Sequence, residues 1–365
     1  MFKREETKKV KVGNTSIGHS NNVIIQSMCN TKTYDVKNTV KQIKELEAAG
    51  CELVRVSVPD EKSAIAIEKI KENINIPLVA DIHFDYKLAL MAIDRGIDKI
   101  RINPGNIGDE SKVKRVVEAC KKKKIPIRIG VNSGSLSKKI LEKYGNKVTS
   151  KGLFESAKEN IKLLEKYEFY DIVVSIKSSD VLMAIDSYNL FAKKYNYPLH
   201  LGITEAGTIK SGNIKSSIGL SILLYEGIGD TMRVSLTGDP AQEIWTAKII
   251  LENLNLRGGG IDIVSCPTCA RTNIDIIKIA SIVEDKLNDN KYEKMLKLSK
   301  KKKYKVAVMG CAVNGPGEAK EADIGIAGGI GEAVLFKKGV IIKKIKEENI
   351  IKELLKEINK DLNEK

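Results

Sequence analysis

The sequence predicts a closed (β/α)8 barrel, the TIM fold, followed by a small α+β domain. Three observations support this architecture: eight short β-branched apolar segments, helix-period segments between them, and a break in the alternation at three consecutive glycines. The chain has 365 residues, which suits a large barrel and a second domain. We therefore place the barrel at 1–255, a glycine-rich hinge at 256–261 and the second domain at 262–365.

Each predicted barrel strand ends in a polar turn and leads into a helical pattern. The segments 36–50 and 85–96 show this pattern, because apolar residues recur at helical spacing and a glycine closes each segment. Alternating strands and helices imply a parallel sheet. An open doubly wound sheet is the rival topology, but no GxGxxG motif opens the first helix. The strands are predicted at 23–27, 53–57, 77–83, 99–103, 126–132, 171–177, 198–204 and 231–236.

The second domain is predicted from the elements that follow "RGGGID". The CxxC segment "SCPTC" precedes a helix at 273–287, a lysine-rich loop and a strand at 304–310. A glycine-rich hairpin is expected within 322–344, and a charged helix at the end of the chain. Strands and helices in this order indicate an α+β domain of roughly a hundred residues.

The composition argues against several classes of protein. No run of eighteen apolar residues is present, and the N-terminus "MFKREETKKV" lacks the apolar part of a secretory signal, so we expect a cytoplasmic protein with no membrane partner. The formal net charge of +15 suggests nucleic acid, but aromatic residues make up only 5% and the charge lies outside any recognition motif. We expect mainly solvated lysine and no nucleic acid partner.

Cations interrupt five of the predicted strands near their carboxyl ends, where barrel active sites are built. A single strand arginine would indicate an ion pair or an edge strand, since parallel strands are normally apolar. Several cations in one cavity repel one another unless an anion fills it, and the guanidinium fork matches phosphate. The pattern predicts a small anionic substrate such as a diphosphate. The cations are Arg55, Arg101, Arg128, Lys177 and Arg233.

Further polar residues follow the same strand ends. Alternation along a strand places Asp81 with His83 on one face, and Asp81 and Glu205 are the acids expected near the cations. Glu205 is a candidate acid or proton relay, or a counter-charge for the arginines. His19 and His200 have no such setting and are expected to be structural or surface residues. The candidate set is Asp81, His83, Asn103, Asn132, Thr204, Glu205 and Ser235.

Three cysteines fall in the second domain. Cys266 and Cys269 form the CxxC pair, and Cys311 follows the next predicted strand in "MGCAVNGPGEA". In a reducing cytosol such a pair is metal-binding or redox-active, and no histidine follows at zinc-finger spacing. The residues leave open a zinc site, open or completed by a carboxylate, and a [4Fe–4S] cluster with one iron free or bound to oxygen. Glu318 is a nearby carboxylate.

Other uses of the cysteines are less favoured. A redox disulfide of the thioredoxin kind should open a helix directly after the first βαβ strand, which this pair does not do. The remaining cysteines belong to the barrel segment and are expected to be small core residues. They are Cys29, Cys51 and Cys120.

Together, "SCPTCART", "MGCAVNGPGEAKEADIGIAGG" and the strand-end residues resemble the 4-hydroxy-3-methylbut-2-enyl diphosphate synthase family in its compact two-domain bacterial form. The resemblance covers nearly the whole chain, from "IIQSMCNTKTYD" to the glycine-rich hairpin. Cys29, where the family usually has threonine, and Tyr34 depart from the pattern. Both lie near the predicted barrel mouth, and neither is a matched ligand.

The resemblance implies a cofactor and a reaction. The second domain would resemble the cluster domain of sulfite reductases and hold a [4Fe–4S] cluster. The reaction would be the two-electron reductive ring opening and dehydration of 2-C-methyl-D-erythritol 2,4-cyclodiphosphate to 4-hydroxy-3-methylbut-2-enyl diphosphate. The implied cluster ligands are Cys266, Cys269, Cys311 and Glu318. The implied diphosphate contacts are Arg55, His83, Arg101, Asn103, Arg128, Lys177, Arg233 and Ser235.

The resemblance also implies partners and catalytic residues. Electrons would come from a ferredoxin or flavodoxin, since no flavin or nicotinamide motif is visible, and the family forms a head-to-tail homodimer. Glu318 is a candidate catalytic residue because a carboxylate leaves more readily than a thiolate. Glu205 is the candidate acid, and Asn314 is expected beside the departing oxygen.

The rival functions are a zinc-stabilised RNA-binding protein and a barrel enzyme with structural zinc.

Overall fold

The computed structural model describes residues 2–258, 260–299, 303–311 and 319–363. Two compact units divide the chain, Met1–Leu256 and Arg257–Lys365. The boundary falls within the segment that we predict as a hinge, 256–261, and the last two residues of that segment already belong to a strand. Bending at this segment stays a prediction.

The first unit is a barrel of eight parallel strands, as predicted. The strands pair in the order β8–β7–β6–β5–β4–β3–β10–β9, and a parallel bridge between Val174 and Leu199 joins the two ends. This bridge closes the sheet, which excludes the open doubly wound topology. The strands are β3 (Ile24–Met28), β4 (Leu53–Ser57), β5 (Leu78–Asp81), β6 (Lys99–Ile102), β7 (Ile127–Asn132), β8 (Ile172–Lys177), β9 (His200–Leu201) and β10 (Thr231–Met232).

Helices surround the barrel, and side-chain caps start most of them. An aspartate carboxylate at the N-cap accepts a backbone N–H of the first turn in six helices, which satisfies donors that have no intrahelical partner. Gly50 ends the first helix in the left-handed region, with φ 105°. The helices are α1 (Val36–Ala49), α2 (Glu61–Lys71), α3 (Tyr86–Asp94), α4 (Glu110–Lys123), α5 (Lys138–Lys143), α6 (Ser150–Glu165), α7 (Val181–Ala192), α8 (Ile209–Tyr225) and α9 (Pro240–Asn253).

A short N-terminal hairpin that the sequence analysis missed covers the amino-terminal end of the barrel. It consists of β1 (Val10–Val12) and β2 (Thr15–Ile17), paired antiparallel. Its apolar residues pack on side chains from the first residues of the barrel strands, in a buried cluster of Val10, Val12, Ile17, Ile24, Leu53, Val79 and Val173. The interior of the barrel is therefore apolar at this end.

The second unit is a five-stranded mixed sheet packed against helices. Strands β11, β12 and β13 are parallel, whereas β14 and β15 continue the sheet antiparallel. The predicted single hairpin is wrong in extent, because turns at 329–331 and 338–339 divide the segment into three strands. The elements are β11 (Gly260–Ser265), α10 (Ile276–Leu287), α11 (Asn290–Leu298), β12 (Lys303–Met309), β13 (Ile324–Gly328), β14 (Glu332–Lys337), β15 (Val340–Lys346) and α12 (Ile350–Asn363).

Among the helices that the structure describes, none has both the length and the apolar character needed to span a membrane.

Candidate active site

The five predicted cations do not all lie at the carboxyl ends of their strands. Lys177 ends β8 and Arg233 follows β10, but Arg55 and Arg101 are the third residues of β4 and β6, and Arg128 is only the second residue of β7. Arg101 and Arg128 are register partners on β6 and β7, and Lys177 pairs with Asn132 across β7 and β8. Arg128 is only 1% exposed, and Arg101 and Lys177 are also buried. Arg55 and Arg233 are partly buried on β4 and directly after β10. The barrel thus concentrates positive charge in its interior.

Asp81, at the end of β5, is the acidic centre of this cluster. Its carboxylate accepts a hydrogen bond from Arg101 Nη1 at 3.1 Å, lies 3.8 Å from Arg55 Nε, and contacts His83 Nε2 at 3.2 Å. Burial opposes its ionisation, but Arg55, the His83 hydrogen bond and Arg101 together hold the pKa of this carboxyl well below its usual range. Asp81 is therefore a fixed negative charge that orients two guanidinium groups and an imidazole.

Glu243, on α9, is a second acid of the site that the sequence analysis did not include. Its carboxylate accepts from Arg233 Nε and Nη2, both at 3.1 Å, from Ser27 Oγ at 3.2 Å and from the Leu236 backbone N–H at 3.1 Å. This bidentate pair fixes the plane of the Arg233 guanidinium. The helical spacing of buried residues along α9 places Glu243 on the apolar face, which is the signal that would have identified it.

Glu205 does not take the counter-charge role that the sequence suggested for it. It is exposed, adopts a left-handed backbone with φ 52°, and forms no ion pair with a described residue. Asp81 and Glu243 neutralise the arginines instead. The position of Glu205 just beyond β9 leaves its carboxyl accessible at the carboxyl end of the barrel.

Two glycines give the cations room inside the barrel. A Cβ on Gly202 would lie 2.5 Å from Lys177 Nζ and 2.8 Å from Lys177 Cε, and a Cβ on Gly130 would collide with the Arg101 guanidinium. Arg101 Nη2 also donates to the Gly130 carbonyl at 3.2 Å. Small residues at these two inward positions therefore allow long cationic side chains to fold into the interior.

Neighbouring positive charges disfavour the protonated state of these groups. Burial, reinforced by Arg128 and Arg55, lowers the pKa of Lys177 well below its usual value. Burial likewise lowers the pKa of Arg55 to about 10, against the opposing effect of Asp81. An anion placed among these groups would reverse both effects, because it stabilises their charged forms. The electrostatics of the interior therefore favour an anionic ligand.

The other predicted residues of the barrel mouth surround this cluster. Asn103 follows β6 and is buried, while Asn132 ends β7 and is partly buried. Thr204 and Ser235 follow β9 and β10 and are partly buried, and His83 is exposed beside Asp81. All of these positions lie at the carboxyl ends of strands, so the barrel brings the predicted set to one end. Their contacts with a substrate stay predictions.

The barrel interior also contains polar groups that the sequence analysis did not assign to the site. Lys99 lies two residues before Arg101 on β6, so alternation already places both on one face. His200, expected to be structural or at the surface, is fully buried on β9, and its Nδ1 lies 2.7 Å from Thr231 Oγ1. Met28 lies between two arginines, with its sulfur 2.8 Å from Arg55 Nη2 and 3.4 Å from Arg233 Nη1.

The three cysteines of the second unit lie at one edge of its sheet. Ser265 and Val308 are register partners on β11 and β12, so the loops that follow these parallel strands leave the sheet on the same side. The Gly310 backbone N–H donates to Cys266 Sγ at 3.2 Å, which joins the CxxC loop to the segment that carries Cys311. Cys266 is partly buried, Cys269 is exposed and Cys311 is buried.

This edge fits a thiolate-ligated metal centre in its chemistry. A backbone N–H directed at a cysteine sulfur stabilises negative charge there, and both loops are available to one metal centre. Hydrogen bonds from the Arg271 backbone and side chain lower the pKa of the Cys269 thiol. Within the described ranges, no three His, Cys, Asp or Glu side chains are already gathered at metal-binding distance. The candidate residues Asn314 and Glu318 lie outside the described residues.

The cysteines of the barrel are core residues, as expected. Cys29, Cys51 and Cys120 are all buried. Burial raises the pKa of the Cys29 thiol to about 12, with a further increase from Cys51 and a decrease from Arg233. Since a thiol with this pKa is protonated at neutral pH, Cys29 is neither a nucleophile nor a metal ligand in this state.

Comparisons with known proteins cover both units. Residues 7–248 match a family described as the GcpE TIM-barrel domain, and residues 262–360 match the GcpE protein C-terminal domain. A relative from Clostridium perfringens is 61% identical over 353 residues, which cover 97% of this chain and 98% of the relative. Another, from Caldanaerobacter subterraneus, is 58% identical over 99% of both chains. Both are named 4-hydroxy-3-methylbut-2-en-1-yl diphosphate synthase (flavodoxin).

The barrel also resembles solved structures of another family. The dihydropteroate synthase of Stenotrophomonas maltophilia aligns with a TM-score of 0.51 and 12% identity, over 68% of this chain and 98% of that one. Identity at this level indicates a shared barrel fold only.

Proposed function

This chain belongs to the GcpE family, and from that membership we infer that it is a 4-hydroxy-3-methylbut-2-en-1-yl diphosphate synthase of isoprenoid biosynthesis. The reaction is the reductive ring opening and dehydration of 2-C-methyl-D-erythritol 2,4-cyclodiphosphate, with the uptake of two electrons. The cationic interior of the barrel is the observation that best supports this function, because a cyclic diphosphate supplies the anion that these groups lack.

We propose that the two phosphates bind among Arg55, Arg101, Arg128, Lys177 and Arg233. Asp81 and Glu243 orient three of these cations through ion pairs, so the guanidinium groups are positioned before substrate arrives. Such preorganisation reduces the entropy lost on binding. His83, Asn103 and Ser235 would complete the phosphate contacts from neighbouring strand ends.

We propose that Cys266, Cys269 and Cys311 hold a [4Fe–4S] cluster, with Glu318 as the fourth ligand. When bound, such a cluster would supply the one-electron reducing equivalents that cleavage of a carbon–oxygen bond needs. Three thiolates anchor such a group firmly, and a carboxylate ligand is the one that leaves most easily. In this proposal Glu318 would be the exchangeable ligand and Asn314 the residue beside the departing oxygen; both lie outside the residues that the structure describes.

Glu205 is the proposed proton donor to the departing oxygen. Its carboxyl is exposed at the carboxyl end of the barrel and has no ion-pair partner among the described residues. A carboxyl that is not committed to an arginine remains available to carry a proton. Asp81 and Glu243 are poorly suited to this role because ion pairs with arginines already occupy their carboxylates.

The enzyme needs an external electron donor, and we propose flavodoxin, as named for the relatives, or a ferredoxin. The chain is basic, with a net charge of +15, which favours approach of an acidic partner. Because the cations and the cysteines belong to different compact units, we also propose a head-to-tail homodimer in which each cysteine unit serves the partner's barrel. We place the protein in the cytoplasm.

Anaerobic purification tests the cofactor directly. We expect a brown protein with a broad absorption band at the violet end of the visible spectrum and about equal iron and sulfide, near the four-to-four ratio of a cubane cluster. The purified protein should then convert the cyclodiphosphate to the linear diphosphate with reduced flavodoxin. A Cys311→Ala variant should lose both the colour and the activity.

Other results would support the rival functions. A colourless protein that contains zinc, even after attempted cluster reconstitution, would contradict the redox mechanism and make the cysteines a structural clip. A brown protein that does not turn over the cyclodiphosphate would retain the cofactor assignment and contradict the substrate assignment.

A further inference from the structure

A layer of buried polar side chains without hydrogen-bond partners lies inside the barrel. Lys99 Nζ, Arg128 Nε and Nη2, and His200 Nε2 have no partner among the described residues, and neither side-chain polar atom of Gln26 has one. Each of these side chains is at most 1% exposed. Buried polar groups in folded proteins almost always have a partner, from protein, water or an ion. Four such side chains on four strands indicate that a bound species occupies this layer.

The layer adjoins the apolar end of the barrel and shares Arg128 with the proposed phosphate site. Val79, which packs with the N-terminal hairpin, is the register partner of Lys99. Arg101, the next inward residue on the same strand, reaches the phosphate site and is paired with Asp81. On β6, Lys99 is thus one inward position closer to the amino-terminal end of the barrel than Arg101. The apolar side chains below it offer no hydrogen-bond acceptor.

The unsatisfied atoms are mostly donors, and the surrounding charge is positive. Burial, together with Arg128 and Arg55, lowers the pKa of Lys99 well below its usual value. Burial and the charges of Arg128, Lys177 and Lys99 likewise lower the pKa of His200. Asp81 and Glu243 already accept several hydrogen bonds each from other groups. A negative ligand would therefore both satisfy the donors and offset the repulsion.

We propose that one small inorganic anion of the size and charge of chloride binds inside the barrel among Lys99, Arg128 and His200, next to the phosphate site, with which it shares Arg128. Lys99 and Arg128 supply N–H donors and positive charge, and His200 and Gln26 supply further donors from the facing strands. The cyclodiphosphate carries one negative charge on each phosphate, so cations remain in excess when substrate is bound. The anion is therefore bound both with and without substrate, and its role does not depend on the proposed reaction.

Thermal unfolding of the full chain tests this site in solution. The probe is chloride, titrated against gluconate at constant ionic strength. Fluorescence of Trp245, the only tryptophan of the chain, reports on the barrel because it lies on α9. We expect a saturable rise in Tm with chloride, and the same rise with bromide, because a ligand that binds only the folded state raises its stability.

Variants assign the effect to the layer. Lys99→Met should lose the chloride-dependent rise in Tm, whereas Lys122→Met, on the exposed face of α4, should retain it. Equal Tm values in chloride and gluconate for the wild-type chain would overturn the proposal. A chloride effect that Lys99→Met retains in full would also overturn it.

Crystals of the wild-type chain soaked in sodium bromide give a test that needs no variant. We expect an anomalous bromide peak in contact with Lys99 Nζ and the Arg128 guanidinium. Water alone at that position would overturn the proposal, and would indicate instead that Lys99 is a neutral amine hydrated within the barrel.

Discussion

Two buried carboxylates set the geometry of the cations at the barrel mouth. Asp81 contacts Arg55, Arg101 and His83, while Glu243 holds Arg233 in a bidentate pair. Asp81 lies at the end of a strand, whereas Glu243 lies on the buried face of a helix. Because both are buried, their charges act on the arginines with little screening by solvent.

Replacing Glu243 tests this arrangement. Glu243→Gln preserves the volume but removes the charge that balances Arg233. We expect the free energy of unfolding to fall by about 3 kcal/mol, the typical loss when one partner of a buried ion pair is removed. Chemical denaturation followed by Trp245 fluorescence measures this change.

The matched control is Glu45→Gln on the exposed surface of α1, where the ion pair with Lys41 at 3.9 Å is solvated. A surface pair of this kind contributes roughly 0–1 kcal/mol. Equal effects of the two substitutions would show that Glu243 does not hold Arg233 in the folded protein.

A third buried carboxyl, Asp230, gives the barrel a pH dependence. It accepts from Thr7 Oγ1 and from the Leu199 backbone N–H, both at 2.7 Å. Burial nevertheless raises the pKa of Asp230 to about 6, despite these hydrogen bonds and Arg4. A carboxyl with a raised pKa binds its proton more tightly in the folded state. Its contribution to stability is therefore complete at low pH and is lost as the pH rises through about 6.

Asp230→Asn removes this titration. We expect the unfolding free energy of the wild-type chain, relative to Asp230→Asn, to fall by about 1–3 kcal/mol between pH 4 and pH 7 and to remain level above. Denaturant titrations at several pH values measure it, with the exposed Asp186→Asn as the control substitution. A difference that grows with pH would contradict the raised pKa.

The residues of the site were predictable to different degrees. Arg55, Arg101 and Arg128 were recognisable because a cation inside a β-branched strand is unusual and two-residue alternation gives its face. Glu243 was missed because a single acid in an apolar helix face resembles ordinary surface polarity until the packing of α9 is known. Lys99 had the same alternation signal as Arg101, but it stands at the first position of its strand.

At the level of elements, inward glycines determine where the long cations fit. Gly202 follows β9 and faces Lys177, while Gly130 within β7 faces Arg101. Neither glycine has a left-handed backbone. Both are therefore needed for the space beside them, because a Cβ at either position would occupy the place of a cationic side chain. The strands therefore contribute to ligand binding through small residues as well as through charged ones.

Gly202→Ala tests this contribution. The added Cβ would lie 2.5 Å from Lys177 Nζ and 3.1 Å from the Arg233 carbonyl oxygen, so the Lys177 ammonium must move. We expect KM for the cyclodiphosphate to rise about 10- to 100-fold, the loss of one charge-assisted hydrogen bond. Steady-state kinetics measure this rise, with circular dichroism as a check on folding.

Gly134→Ala is the control, since an added Cβ there meets nothing within 4 Å. It should leave KM unchanged. A Gly202→Ala enzyme with wild-type KM would mean that Lys177 does not contact substrate.

Element prediction succeeded where periodicity was strong and failed where segments were short. The eight barrel strands are β-branched runs between polar turns, and all eight are present. Hairpin β1–β2 was not predicted, because strands of three residues show too little alternation of apolar and polar residues to be recognised. Helix α11 was not predicted, because its lysines suggested a loop. Tyr292 and Leu296 are buried and lie four residues apart, which is the spacing of one helical turn.

At the scale of the whole molecule, the proposed chemistry is divided between two compact units with separate cores. The barrel carries the cations, and the second unit carries the cysteines. If the proposed phosphate site and the proposed cluster serve one reaction, a barrel and a cysteine unit have to meet. In the proposed homodimer these belong to different subunits.

Mixed dimers test that proposal. A dimer that combines an Arg128→Ala subunit with a Cys311→Ala subunit has one intact barrel and one intact cysteine unit, on opposite chains. If each cysteine unit serves the partner's barrel, this dimer retains one complete site and is active. Tandem affinity tags isolate the mixed dimer for turnover assays.

The reverse combination is the control. A subunit with both substitutions, paired with a wild-type subunit, should be inactive in the cross-subunit arrangement because neither site is complete. Activity in this control and none in the first dimer would place both halves of the site in one chain.

Hairpin β1–β2 bears on the route by which substrate would enter the barrel and product would leave it. Val10, Val12 and Ile17 cover the amino-terminal ends of several barrel strands with buried apolar side chains, so we expect ligands to reach the interior from the carboxyl end. If the barrel binds the cyclodiphosphate as proposed, substrate and product would share this entrance, and product would have to leave before the next substrate binds. Because product and substrate would bind at the same site, we expect the linear diphosphate to inhibit competitively with respect to substrate. Product release is then a step that can limit kcat.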